Sequence, residues 1–245
     1  MPASSQIALS VKNRVGKTEK KEKKGAYGEW RKAYCAEYRR LMARTREAAH
    51  ERFTQDLKSR GGTIRCEAGC TFCCHQYLTV SLAQGLVIVD HLYSNKILLR
   101  NFLRRYALWQ DKASDKAGEL DRIRTHSVAH HVPAEQVITE TRALTSQYFL
   151  AGIACPFLVD NKCSIYEVRP PSCASLVSLS EPTHCAPDAL HTPELRKIAL
   201  SDGELVQLIG LGDPRLMMYE LSLPVMVYRL LTEGGEALMQ EAPAL

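Results

Sequence analysis

Apolar side chains recur every three to four residues along most of this chain, the spacing that places them on one face of an α-helix. The first such stretch carries a stripe of four apolar residues, Trp30, Tyr34, Tyr38 and Leu41. Charged residues fill the positions between them out to Lys58, and the pair Gly61–Gly62 then permits the backbone angles that end a helix. The pattern predicts a long amphipathic helix within residues 26–63.

A serine followed three residues later by an amide marks the next helix start. Ser81 and Gln84 have the form of a capping box, in which the hydroxyl and the amide satisfy free backbone N–H groups. A short extended segment, Tyr77–Val80, is predicted before the box, and helical periodicity follows it to about Ser94. Further helices are predicted over residues 97–111, 117–131 and 133–150.

The last third of the chain is less regular. Prolines and short apolar runs interrupt residues 151–191, which predicts irregular chain there. A second capping box begins at Ser201, and a helix rich in Leu and Met is predicted over residues 214–231, interrupted at Pro224. The predicted fold class is therefore mainly α: a single helical domain with an irregular cysteine-rich metal-binding region and few or no short strands.

These patterns divide the chain into four segments. They are a basic disordered tail (1–25), the amphipathic helix (26–63), a cysteine-cluster metal-binding domain (64–191) and a C-terminal helical segment packed on it (192–245). The tail holds seven Lys or Arg and two Glu, so it accounts for the whole net charge of +5. We expect it to be a solvated extension, and we expect no nucleic-acid partner beyond this tail.

The chain lacks the apolar patterns of export and membrane insertion. Its N-terminal apolar run is brief, unlike a secretory signal, and the longest run, Tyr148–Val159, is interrupted by Pro156 and falls below the ~20 residues that span a bilayer. We therefore expect a cytoplasmic protein with no membrane span. In a reducing compartment, closely spaced thiols are more often metal ligands than disulfides.

Eight of the nine cysteines fall into two blocks. The first block contains Cys66, Cys70, Cys73 and Cys74, and the second contains Cys155, Cys163, Cys173 and Cys185. Cys35 stands apart and is predicted to be a small core residue. Because thiolates are soft ligands, clustered cysteines favour zinc or iron–sulfur centres over magnesium or calcium.

The spacing within the first block constrains how the thiols bind. The two-residue gap between Cys70 and Cys73 lets both sulfurs reach one metal. The side chains of the adjacent residues Cys73 and Cys74 are expected to diverge, so that one of them points away from the first ion. Eight cysteines exceed the four that one zinc ion or one cluster needs, which leaves two metals, or one metal with spare thiols, open.

Two residues near the second block are candidate supports for a metal centre. Arg169 is placed to offset the negative charge of bound thiolates, and an ordinary surface or structural arginine is the alternative. Tyr166 is placed to hydrogen-bond to the site, and packing in the core is the alternative. His75 directly follows the cysteines, as a ligand or as a solvated loop histidine.

The two blocks resemble known families to different degrees. Cys66-x-x-x-Cys70-x-Phe-Cys73 matches the cysteine triad of radical S-adenosylmethionine enzymes, but the repeated strand–helix units of those proteins are missing from the pattern. Both blocks together, with Cys155-Pro-Phe-Leu158, Cys163-x-Ile-Tyr166 and Arg169-Pro-x-x-Cys173, resemble the YkgJ-type cysteine-cluster family over residues 64–186. That family is described as zinc- or iron-chelating and includes flagellin lysine N-methylases.

The resemblance implies that all eight clustered cysteines are candidate metal ligands, with Arg169 and Tyr166 as supporting residues. It implies an iron–sulfur cluster or Zn²⁺ in one or two centres. Two alternatives remain: a protein lysine N-methylase-like enzyme that uses this centre with S-adenosylmethionine and a protein substrate, and an interaction module with a structural zinc and a protein partner. No glycine-rich methyltransferase loop is present, so catalysis rests on the resemblance alone.

Overall fold

The computed structural model describes residues 27–66 and 69–242, so the basic tail predicted over residues 1–25 lies outside the described residues. The described chain is mainly α, as predicted, and its strands form short antiparallel pairs. The helices are α1 (Tyr27–Ser59), α2 (Leu82–Ser94), α3 (Lys96–Ala129), α4 (Ala134–Leu150), α5 (Pro171–Ala174), α6 (Asp202–Ile209), α7 (Arg215–Met218), α8 (Leu223–Thr232) and α9 (Gly235–Glu241).

The strands are β1 (Thr79–Ser81), β2 (Leu158–Val159), β3 (Lys162–Cys163), β4 (Leu176–Ser178), β5 (Leu195–Lys197) and β6 (Glu220–Ser222). They pair antiparallel as β1 with β6, β2 with β3 and β4 with β5. Three single turns of 3-10 helix complete the cysteine-rich part, at Phe72–His75, Tyr166–Val168 and Pro182–Cys185. The structure therefore adds short pairings to the region that was predicted to be irregular.

Helix α2 forms the centre of the hydrophobic core. The side chains of Leu82, Ile88 and Leu92 are fully buried, and the helix packs between α1 and α8. A Cβ atom on Gly85 would lie 2.6 Å from Met226 Cγ, so this glycine allows α8 to approach closely. The capping box predicted at the start of α2 is confirmed, and so is the one at the start of α6.

Two helix predictions are wrong in their boundaries. The predicted helices 97–111 and 117–131 are one continuous helix, α3, because the residues between them include no breaker and Ala113 and Ala117 bury one face. The predicted helix 214–231 is instead α7, then β6, then α8. Strand β6 interrupts it because this segment pairs with β1, with Thr79 opposite Ser222, and Pro224 occupies the first turn of α8.

The termini of the described chain join the same core as the central helices. Leu238 of α9 is fully buried, and Tyr34 and Tyr38 of α1 belong to the same apolar cluster. Within the described ranges, no helix has both the length and the apolar content needed to cross a membrane. The core thus supplies a rigid frame on which the cysteine-bearing turns are held.

Candidate metal centre

A tight hairpin positions two cysteines of the second block. Asp160 and Asn161 both adopt positive φ, at 48° and 58°, as the two central residues of a type I′ turn require. The turn pairs Leu158 with Cys163 across β2 and β3. Cys155 precedes the hairpin, and its carbonyl accepts a hydrogen bond from the Leu158 N–H at 2.9 Å, so the hairpin holds both thiols in one place.

The first cysteine block docks directly against this hairpin. Cys73 and Cys74 lie on the 3-10 turn Phe72–His75, and the Cys155 N–H donates to the Cys74 carbonyl at 2.8 Å. Cys173 arrives on α5, where the Ser172 hydroxyl donates to the Thr79 carbonyl at 3.1 Å. Hydrogen bonds to backbone carbonyls therefore join residues 81 (155 − 74) and 93 positions apart in sequence.

Five thiols border one cavity of about 60 Å³, which we call the thiol pocket: Cys73, Cys74, Cys155, Cys163 and Cys173. Arg169 borders the same cavity, and the lining also has an apolar wall that includes Leu78, Phe157 and Pro224. Cys73 and Cys74 both line it, and the expectation that one of them points away from a first ion stays a prediction. The tight turn allows both thiols to border one cavity, and they hydrogen-bond to each other.

The other three clustered cysteines do not line the thiol pocket. Cys66 is exposed, and its sulfur accepts a hydrogen bond from the Ser178 N–H at 3.1 Å. Cys70 and Cys185 are half-buried. The 3-10 turns Phe72–His75 and Pro182–Cys185 pack together, and the thiols of Cys66, Cys73 and Cys185 lie near Cys70. We call Cys66, Cys70 and Cys185 the outer thiols.

Burial disfavours ionisation of most of the pocket thiols. It raises the pKa of Cys155 to about 12 and that of Cys173 well above its usual value. The hydrogen bond between the adjacent thiols, together with nearby Arg169, lowers the pKa of Cys73 to about 6, whereas the same hydrogen bond and burial raise the pKa of Cys74. Several thiolates together in this pocket would therefore need additional positive charge.

Arg169 supplies part of that charge. Its guanidinium favours the thiolate form of Cys73, and it opposes the burial that raises the pKa values of Cys163 and Cys173. The guanidinium also stacks on the Tyr166 ring at 4.4 Å, while Tyr166 itself is 60% exposed and is not part of the pocket wall. The Arg169 Nε atom is buried without a hydrogen-bond partner, and so is His75 Nδ1.

A second polar cluster lies behind the apolar wall of the pocket. Asp121 of α3 accepts hydrogen bonds from the Tyr77 hydroxyl at 2.6 Å, the Ser222 N–H at 2.6 Å and the Ser222 hydroxyl at 2.8 Å. We call these three residues the carboxylate cluster. Burial raises the pKa of Asp121, although the three hydrogen bonds and Arg124 act in the opposite direction. Tyr77 and Ser222 also border the thiol pocket, so the two clusters share a wall.

The donor set of the pocket fits a soft metal, but the thiols do not form a finished site. Over residues 27–66 and 69–242, no group of three or more His, Cys, Asp or Glu side chains could hold a metal ion where it stands. A metal would therefore require some of the pocket thiols to rotate toward a common point. Cys35 lies on α1 and is fully buried in the hydrophobic core, apart from the other eight cysteines. Burial raises its pKa to about 12.

Sequence patterns identified the clustered cysteines but not the apolar wall or Asp121. Asp121 follows Ala113 and Ala117 at helical spacing, so its position on the buried face of α3 was the available signal. Comparison of this chain with protein-family models, with curated proteins and with solved structures found no match in any of the three.

Proposed function

We propose that this protein binds a metal centre, an iron–sulfur cluster or Zn²⁺, through its two cysteine blocks, with the thiol pocket as the principal site. The observation that carries the proposal is that five thiols from three separate turns border one cavity together with Arg169. Cysteines that only filled a core would have no reason to share a cavity with a cation. The protein has the thiolate chemistry that both zinc and iron–sulfur centres use.

The roles of the chain's own residues follow from their positions. Any four of the pocket thiols, Cys73, Cys74, Cys155, Cys163 and Cys173, would complete a tetrahedral thiolate set, and Arg169 would offset part of its negative charge. The bound centre would supply the positive charge that buried thiolates lack. The resemblance to the YkgJ-type family implies one or two centres, and the outer thiols, which lie apart from the pocket, are the candidates for a second one.

The test is a measurement of metal and sulfide per chain on protein purified without oxygen. We expect either zinc, or iron with matching acid-labile sulfide, in the wild type. Cys155→Ala should lose most of the bound metal. Cys35→Ala, the same substitution at a buried cysteine outside both blocks, should retain the metal. Wild-type protein that contains neither metal, or equal retention in both variants, would contradict the proposal.

The apolar wall of the thiol pocket favours an enzyme as the second candidate. Leu78, Phe157 and Pro224 leave room beside the thiols for part of a substrate, which a purely structural zinc site would not need. In the YkgJ-type reading, this enzyme is a cytoplasmic protein lysine N-methylase that uses S-adenosylmethionine. Methylation of a lysine peptide by the metal-loaded wild type, but not by metal-loaded protein with the bulky substitution Leu78→Trp, would support it. Metal-loaded wild-type protein that methylates no peptide would favour the interaction module with a protein partner.

A further inference from the structure

A second cavity also borders Arg169. Its volume is about 40 Å³, and it lies between α1, α2 and the turn Tyr166–Val168. We call it the arginine crevice, after the polar and charged residues in its lining, which are Tyr38, Arg39, Arg46, Gln84, Glu167 and Arg169. Arg169 therefore borders both the crevice and the thiol pocket.

The positive charge of the crevice is only partly balanced. Arg39 pairs with Asp90 at 3.2 Å, which offsets one of the three guanidinium groups. Arg46 is half-buried and makes no ion pair or hydrogen bond with any other described residue. Glu167 is the one carboxylate in the described lining, and it is exposed. Two arginines thus face a small cavity without a carboxylate bound to either of them.

Two hydrogen-bond donors in the crevice also lack acceptors. Tyr38 is 3% exposed, and its hydroxyl lies near the Gln84 side chain but has no hydrogen-bond partner of good geometry. The Arg169 Nε–H is likewise buried and unpartnered. A buried donor left without an acceptor is destabilising, and folded proteins leave few of them. Two such donors on different elements, bordering one cavity, indicate a missing acceptor.

We propose that the arginine crevice binds a small oxyanion, a carboxylate or a phosphate, through Arg46, Arg169 and the Tyr38 hydroxyl. An oxyanion presents only acceptors, and its charge and planar or tetrahedral oxygens suit guanidinium groups. The size of the crevice limits the ligand to a small anion or to the anionic end of a longer molecule. Since Arg169 borders both cavities, the bound anion lies beside the thiol pocket, whatever metal that pocket holds.

The test is calorimetric titration of the full chain with inorganic phosphate and, separately, with acetate. Arg46→Gln should weaken binding about tenfold or more, because one charged hydrogen bond is lost. Tyr38→Phe should weaken it several-fold while the ring keeps its place in the core. Arg44→Gln, which removes the same charge from an exposed position on α1 outside the crevice, should leave it unchanged. The anion that binds more tightly, phosphate or acetate, identifies the class of ligand.

Removal of the opposing carboxylate gives the reverse effect. Glu167→Gln should strengthen binding of whichever anion is tighter, because one negative charge leaves the crevice. Absence of binding for both anions at about 10 mM, a Kd weaker than the millimolar range, would overturn the proposal. Equal weakening by Arg44→Gln and Arg46→Gln would also overturn it, because the anion would then respond to net charge and not to the crevice. Metal content measured on the same samples keeps this outcome separate from the proposed metal centre.

Discussion

The carboxylate cluster and the thiol pocket share the Tyr77 wall, yet their polar groups are satisfied in opposite ways. Asp121 accepts three hydrogen bonds from Tyr77 and Ser222, so its cluster is complete within the chain. In the thiol pocket, Cys73 and Cys74 hydrogen-bond to each other, and the sulfurs of Cys155 and Cys163 accept from the backbone N–H groups of Phe157 and Ile165. The Arg169 Nε atom beside them has no partner. A polar cluster that closes on itself stabilises the fold, whereas one that does not close indicates a ligand.

The largest expected effect is on the carboxylate cluster. Asp121→Ala removes the acceptor of three buried donors, and we expect it to lower the free energy of unfolding by about 4 kcal/mol. Asp115→Ala, at an exposed position of the same helix, should change it by less than about 0.5 kcal/mol. Urea unfolding with chelator present measures both. A small effect of Asp121→Ala would mean that water can replace the carboxylate.

The second effect concerns the thiol pocket and depends on metal. If the pocket binds a metal, chelation should lower the free energy of unfolding of the wild type by about 3 kcal/mol, the linkage expected at about a hundred times Kd. Cys155→Ala should show little response to the chelator, while Asp121→Ala should respond as the wild type does. An unresponsive wild type, or loss of the response in both variants, would remove the distinction between the two clusters.

The third effect is a difference of about 1 kcal/mol between the wild type and Asp121→Asn in how the free energy of unfolding changes with pH. Burial raises the pKa of Asp121 above its unfolded value, so the folded state favours the protonated carboxyl. The stabilisation that comes from this raised pKa is therefore fully present below pH about 4, the pKa of Asp in the unfolded chain, and is lost as pH rises through the pKa of Asp121 in the folded protein. Asp121→Asn retains the acceptor oxygen and should remove this decline. Denaturant midpoints measured between pH 4 and 8 test it, and an identical slope in both proteins would contradict it.

The two clusters also differ in how far the sequence could predict them. Cysteine spacing identified both blocks, and Arg169 lies among the pocket thiols because the chain turns back immediately before Cys173. Spacing could not separate pocket thiols from outer thiols, since that division depends on hairpin β2–β3 and on contacts between distant turns. Asp121 resembles any acidic residue on a helix, and only its long-range partners distinguish it.

Helical periodicity predicted where apolar faces lie better than where elements end. The capping boxes at Ser81 and Ser201 were recognisable because the hydrogen bonds are local. The continuity of α3 and the strand Glu220–Ser222 were not, because the first depends on burial of Ala113 and Ala117 and the second on pairing with β1. Local chemistry is readable in one sequence, whereas pairing between distant segments is not.

The smallest effect tests the wall that the two clusters share. Tyr77→Phe removes the hydroxyl that donates to Asp121 but keeps the ring that borders the thiol pocket. We expect a loss of about 0.5 kcal/mol in the free energy of unfolding, because Asp121 keeps both hydrogen bonds from Ser222. Metal content per chain should not change, because the ring remains in the pocket wall and the lost hydroxyl donates to Asp121, not to a thiol. A fall in metal content would mean instead that the carboxylate cluster positions the thiols through Tyr77, and that the two clusters act as one site.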